Sequence, residues 1–91
     1  MLYPESHYLE FVRINAPRRR TSFWEVKSKS SGALLGAIKW FGRWRQYVFY
    51  PSHGTLYNPD CMRDIITVIE EAMKERREAL TYRRLEREAL T

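Results

Sequence analysis

Ala33-Leu-Leu-Gly-Ala-Ile-Lys-Trp-Phe-Gly-Arg-Trp-Arg-Gln-Tyr-Val-Phe-Tyr-Pro51 holds two runs of β-type residues, Leu34–Phe41 and Trp44–Tyr50, on either side of Gly42-Arg43. Glycine at the first central position suits a two-residue type II′ hairpin turn, which needs a positive φ there. That turn pairs Phe41 with Trp44, Trp40 with Arg45, Lys39 with Gln46, Ile38 with Tyr47, Ala37 with Val48 and Gly36 with Phe49. Side chains alternate across a strand, so the pairs sort into two faces. Gly36, Ile38, Trp40, Arg45, Tyr47 and Phe49 make a nearly apolar face that should meet a core. Ala37, Lys39, Phe41, Trp44, Gln46 and Val48 make a mixed aromatic and polar face, the better candidate for exposure.

Upstream, Tyr8–Ile14 reads as a first strand from its β-branched and aromatic content. Asn15-Ala16-Pro17-Arg18-Arg19-Arg20 breaks it, since proline lacks a ladder donor and three adjacent guanidinium groups repel. Thr21–Ser28 alternates, with Trp24 and Val26 on one side and Phe23, Glu25 and Lys27 on the other, and Lys29-Ser30-Ser31-Gly32 is a turn by composition. Downstream, Thr55-Leu56-Tyr57 offers a short edge strand after the turn Pro51–Gly54. Asn58-Pro59-Asp60 then announces a helix: a side-chain cap, a proline suited to the first helical position, and an acid favoured by the helix dipole. Met62, Ile65, Ile66, Ile69, Ala72 and Met73 recur at helical spacing and predict the stripe that lies on the sheet. The charged stretch from Lys74 to Arg87 contains no glycine or proline, so the helix extends to about Leu90, longer than any strand can support. The expected fold is α+β: an antiparallel sheet of three to five strands with one long C-terminal helix on one face, a single domain over residues 1–91. Within it, residues 1–20 form the first strand and a basic arm, 21–58 the sheet, and 59–91 the helix with its charged tail.

Charge is uneven along these 91 residues. Residues 1–58 carry nine basic and three acidic side chains, a net of +6, whereas 59–91 carry seven basic and eight acidic. A basic sheet half favours an anionic partner, although a basic surface also serves solubility alone. The single cysteine, Cys61, excludes a disulfide framework and a cysteine-based zinc site. The first residues lack the basic and apolar regions of a signal peptide, and the apolar run Ala33–Ile38 is too short to span a bilayer. These features point to a cytoplasmic protein without a membrane segment.

No catalytic signature emerges. There is no glycine-rich phosphate loop, no His-Glu-x-x-His and no Gly-x-Ser-x-Gly. His53 and Cys61 make an imaginable nucleophilic pair, because a thiol in a first helical turn can acidify; a small cysteine there more often simply packs. The expectation is a protein that binds, with no cofactor and no metal.

The candidate ligand-binding residues are Arg18, Arg19, Arg20, Lys39, Phe41, Arg43, Trp44, Arg45 and Gln46. Aromatics stack on bases while arginines pair with phosphates, which suits a single strand or a nucleotide. Each has a plainer alternative. The arginine triplet can clamp phosphates through charge alone or form a solvated loop. Trp40 can form a stabilising cross-strand cation–π pair with Arg45, leaving Trp44 as the binding aromatic. The charged helical tail, with Leu80, Tyr82, Leu85 and Leu90, can build a homodimer or higher symmetric oligomer, or remain a solvated extension.

The string Leu35-Gly36-x-Ile38-x-Trp40-Phe41-x-x-Trp44-Arg45-x-Tyr47-x-Phe49-x-Pro51, followed by Cys61-Met62-x-Asp64-Ile65, resembles a family of short uncharacterised bacterial and phage proteins. The resemblance covers about residues 33–73. It implies no activity, but a phage source would suggest a host-takeover or anti-defence factor. Two readings therefore stand. One is a non-enzymatic module for nucleic acid or a nucleotide. The other is a phage-type inhibitor that plugs a host protein, or a sponge for a nucleotide signal.

Overall fold

Leu9 and Phe11 in the first strand and Trp24 and Val26 in the second recur at every other position, and their parity sets which face of the sheet is buried. The computed structural model describes residues 6–15 and 21–89. Four strands, β1 (Leu9–Ile14), β2 (Phe23–Ser28), β3 (Leu34–Phe41) and β4 (Gln46–Pro51), precede one helix, α1 (Pro59–Ala89). The strands form an antiparallel meander in the order β1-β2-β3-β4, so the α+β arrangement anticipated from the sequence is the observed one. Leu9, Phe11, Trp24, Val26, Ile38 and Tyr47 point from the sheet into the core, where Cys61, Ile65, Val68 and Ala72 of α1 meet them. Trp24, Val26, Ile38 and Val68 are almost completely buried, enough apolar area to fix helix against sheet at roughly 1.5–3 kcal/mol for each large side chain.

The central hairpin keeps its predicted faces but not its register. Phe41 pairs with Gln46, Trp40 with Tyr47, Lys39 with Val48 and Ile38 with Phe49, a shift of two residues along β4. A shift of two leaves every side chain on its face, whereas a shift of one would invert the strand. The turn therefore spans the four residues from Gly42 to Arg45, with Trp44 N–H bonded to Phe41 O and Arg45 N–H to Gly42 O, both at 3.2 Å. The left-handed position belongs to Arg45 (φ 53°), not to Gly42. The longer loop seats Tyr47 edge-on against Trp40, with centroids 5.4 Å apart, where the shorter turn would have set Arg45 opposite it on the core face. Gly36 is required by close approach: a Cβ there would lie 2.6 Å from Tyr50 O and 2.7 Å from the Phe49 ring.

Thr55-Leu56-Tyr57 forms no strand. Its segment is pinned by side chains instead: Thr55 Oγ1 donates to Ser52 O at 2.8 Å, and the Tyr57 hydroxyl donates to Leu35 O. The Tyr57 ring also meets Phe49 edge-on at 5.1 Å.

Asn58 caps α1 as expected, its Oδ1 accepting from Cys61 N–H at 2.8 Å. The buried stripe, however, is Cys61, Ile65, Val68 and Ala72. The predicted stripe was rotated about the helix axis, and Met62 and Ile66 are half exposed. Ile69 and Met73 lie at the margin. Met73 reaches past the core to the edge strand β4, where its Sδ accepts from Tyr47 N–H at 3.4 Å. At 1.5 Å per residue α1 is about 46 Å long, close to the 52 Å long dimension of the molecule. Its second half overhangs the sheet as one continuous helix, with Leu80, Tyr82 and Leu85 half exposed or more. Among the described residues no helix is long and apolar enough to cross a membrane.

Candidate functional site on the open sheet face

With α1 on one side, no described element covers the other face of the sheet. The strand registers assemble it in rows: Val12, Glu25, Ala37 and Tyr50 across one level, then Ile14, Phe23, Lys39 and Val48, then Phe41 and Gln46 beside the β3–β4 turn. Lys39 stands among aromatics, its Nζ 5.5 Å from the Phe23 ring and 6.0 Å from that of Tyr50, a range in which an ammonium is drawn to a ring face. At the turn, Trp44 is 64% exposed and meets Phe41 edge-on, with centroids 4.9 Å apart at 88°. That contact orients the indole while leaving most of its surface to solvent. Farther from the turn, Glu10 and Lys27 face each other as a cross-strand pair of opposite charge.

Of the residues expected to bind, the structure brings Lys39, Phe41, Trp44 and Gln46 together on this face, and Arg43 sits exposed on the turn beside them. Arg45 is separated from the group. It turns to the helix side, where it borders a hollow of about 460 Å³ with Trp40, Arg76 and Arg77. Trp40 is stacked by Arg76 of α1, with 3.9 Å from guanidinium to ring centroid, so the expected Trp40–Arg45 pairing is replaced by one across sheet and helix. Arg18, Arg19 and Arg20 lie outside the described residues. Phe23 and Tyr50 were missed by sequence reasoning. Tyr50 shares the parity of Gln46 and Val48 and was recoverable, whereas Phe23 joins the cluster only through the β2–β3 register.

The meander also gathers charge at one end. The β3–β4 turn lies at the end where β1 passes to β2, and α1, running back from the end of β4, carries Arg76 and Arg77 to the same end. The Arg13–Glu75 ion pair at 2.8 Å fixes this approach. Cys61 is buried in the core and His53 is exposed in its turn, so a nucleophilic pair between them is not built. Among the described residues no group of three or more His, Cys, Asp or Glu is placed to hold a metal ion.

No protein-family model matches the chain, and no solved structure matches it. Over 73 residues, covering 80% of this chain and 94% of the other, it is 34% identical to an uncharacterized 9.3 kDa protein of Acholeplasma phage L2.

Proposed function

This chain belongs to one family with that 9.3 kDa phage protein, and from that premise we propose that it is a non-enzymatic module whose open sheet face binds single-stranded nucleic acid. The observation that carries the reading is a face on which Trp44 and Tyr50 stand exposed, Phe41 meets Trp44 and Lys39 lies over Tyr50, on a four-stranded sheet backed by a helix. Aromatics on an open antiparallel sheet stack successive bases without needing their hydrogen-bonding edges, and nearby cations take the phosphates. Arg43 on the turn and Lys39 on the face supply cations beside the stacking surface.

A second reading draws on a different observation. Val12, Ile14, Ala37 and Val48 give the face an apolar floor that bases do not need and a protein surface would use. In a phage family that partner is a host protein, and the chain would act as an inhibitor of it. We further propose a homodimer through the overhanging half of α1, where Leu80, Tyr82 and Leu85 stand exposed.

The test is fluorescence anisotropy of a labelled oligothymidylate across a salt series. Strand binding should weaken steeply, with a logarithmic slope of about −0.7 per phosphate neutralised. Absence of binding at low salt refutes the reading, and an aromatic-anchored protein interface would change little with salt.

A further inference from the structure

On the side of the sheet away from the proposed strand-binding face, the overhanging half of α1 and the sheet enclose a groove of about 930 Å³. Its walls combine three arginines, Arg13, Arg76 and Arg83, with the aromatics Trp24, Trp40 and Tyr47. Arg13 is committed: it pairs with Glu75 and lies 5.2 Å from the Trp24 ring centroid. Arg76 is held over Trp40, 3.9 Å from the ring centroid. Among the described residues neither Arg76 nor Arg83 has a carboxylate partner. The two are seven residues apart, two turns and about 10.5 Å along one face of the helix. Ala79 lies between them with only a methyl group and leaves the groove unfilled.

Glu75 supplies the polar contrast. Its Oε1 takes the Arg13 ion pair, while its Oε2 is buried with no hydrogen-bond partner. A buried carboxylate oxygen without a donor is costly, and here it borders the groove. The Tyr47 phenol lines the same wall, and burial raises its pKa above the ordinary value and keeps it a neutral donor. The groove thus presents guanidinium groups for an anion, a guanidinium plane and aromatic rings for a flat group, and an acceptor awaiting a donor.

We propose that this groove is a second binding site, distinct from the open sheet face, for a nucleoside monophosphate group. Its phosphate is held by Arg76 and Arg83, its base lies along the Trp40–Arg76 stack, and an amino or hydroxyl group donates to Glu75 Oε2. A guanidinium already aligned on a ring is preorganised both to stack on a base and to pair with phosphate. The same chemistry occurs in a free nucleotide and at the 5′-phosphorylated end of a strand.

Isothermal titration calorimetry with AMP, inorganic phosphate and a 5′-phosphorylated oligoadenylate tests the site. AMP should bind with Kd below about 1 mM and inorganic phosphate roughly tenfold more weakly. Arg83→Ala, on an exposed helical turn where alanine favours the helix, should weaken AMP roughly tenfold. Arg63→Ala, which removes the same charge from the distant first turns of α1, should not. Glu75→Gln, which replaces the carboxylate acceptor by a neutral amide and leaves the Trp40–Arg76 stack, should narrow the preference for AMP over inorganic phosphate. Tighter binding of AMP than of the oligonucleotide assigns the site to free nucleotides, whereas tighter binding of the 5′-phosphorylated strand than of the same strand without that phosphate assigns it to a strand end. Silence with both nucleotide probes, an unchanged Arg83→Ala titration, or equal affinity for AMP and phosphate would overturn the proposal. The AMP, inorganic phosphate and Arg83→Ala outcomes do not depend on Phe41, Trp44 or Tyr50, and the strand without a 5′-phosphate reports the open face alone, so the two readings stand or fall separately.

Discussion

Trp40→Ala and Trp44→Ala should separate folding from binding, although the two tryptophans are four residues apart in one hairpin. Trp44 is 64% exposed, and its described ring contact is the edge-on meeting with Phe41, a pair worth about 0.5–1.5 kcal/mol. For a domain of this size 1 kcal/mol moves Tm by about 4–8 °C, so Trp44→Ala should lower it by about 10 °C at most. Loss of one stacked base costs about 1–3 kcal/mol, which is roughly 5- to 150-fold in affinity for a single strand. Trp40 is half-buried, packs edge-on against Tyr47 and lies under Arg76. Fully buried Trp→Ala changes cost about 3–5 kcal/mol. Removal of this partly covered ring should cost about 2–3 kcal/mol, a fall in Tm of roughly 10–20 °C, with little direct loss of strand affinity. Circular-dichroism melts and oligothymidylate anisotropy on both variants measure the two quantities. Equal destabilisation by the two changes, or wild-type affinity in Trp44→Ala, would refute the face assignment and the role built on it.

Three further outcomes are expected. Gly36→Ala places a methyl against the Tyr50 carbonyl and Phe49 ring; because the first obstacle is backbone, the strain should cost about 1–3 kcal/mol, read by urea denaturation. Tyr47 has a folded-state pKa above its ordinary 10.0 because burial disfavours the phenolate. Its contribution to stability is therefore complete below that pH and lost as pH rises through the folded value. Thermal melts should show wild-type stability declining above pH 10.0 and Tyr47→Phe declining less steeply. Truncation after Arg77 retains the Glu75 and Arg76 contacts to the sheet but removes Leu80, Tyr82 and Leu85. Sedimentation should change from dimer to folded monomer, and a full-length chain that sediments as a monomer would refute the dimer.

Alternation in β2, β3 and β4 made the buried and open faces legible, because parity depends only on local sequence. The register of the hairpin was not legible. A shift of two residues preserves that parity, and what decides it is whether Tyr47 or Arg45 lies opposite Trp40. The Asn58 cap was readable from three consecutive residues, but the helix rotation was not: Met62 and Ile66 are as apolar as Ile65 and Val68, and what chooses between them is packing on the sheet and on the edge strand at Met73. Trp44 and Arg45 are neighbours in sequence and serve opposite sides because Arg45 takes the left-handed position. The groove was hidden for a different reason. Arg13, Trp40, Glu75, Arg76 and Arg83 belong to three elements, and no spacing along the chain announces their meeting.

The open-face reading is tested most directly by following the three tryptophan indole N–H resonances while labelled protein is titrated with oligothymidylate. Trp24 is almost completely buried, Trp40 lies half-buried on the helix side, and Trp44 stands 64% exposed on the turn. The Trp44 indole signal should shift progressively with added strand while those of Trp24 and Trp40 stay in place. A titration in which no indole moves, or in which Trp40 responds and Trp44 does not, would contradict the open sheet face as the binding surface.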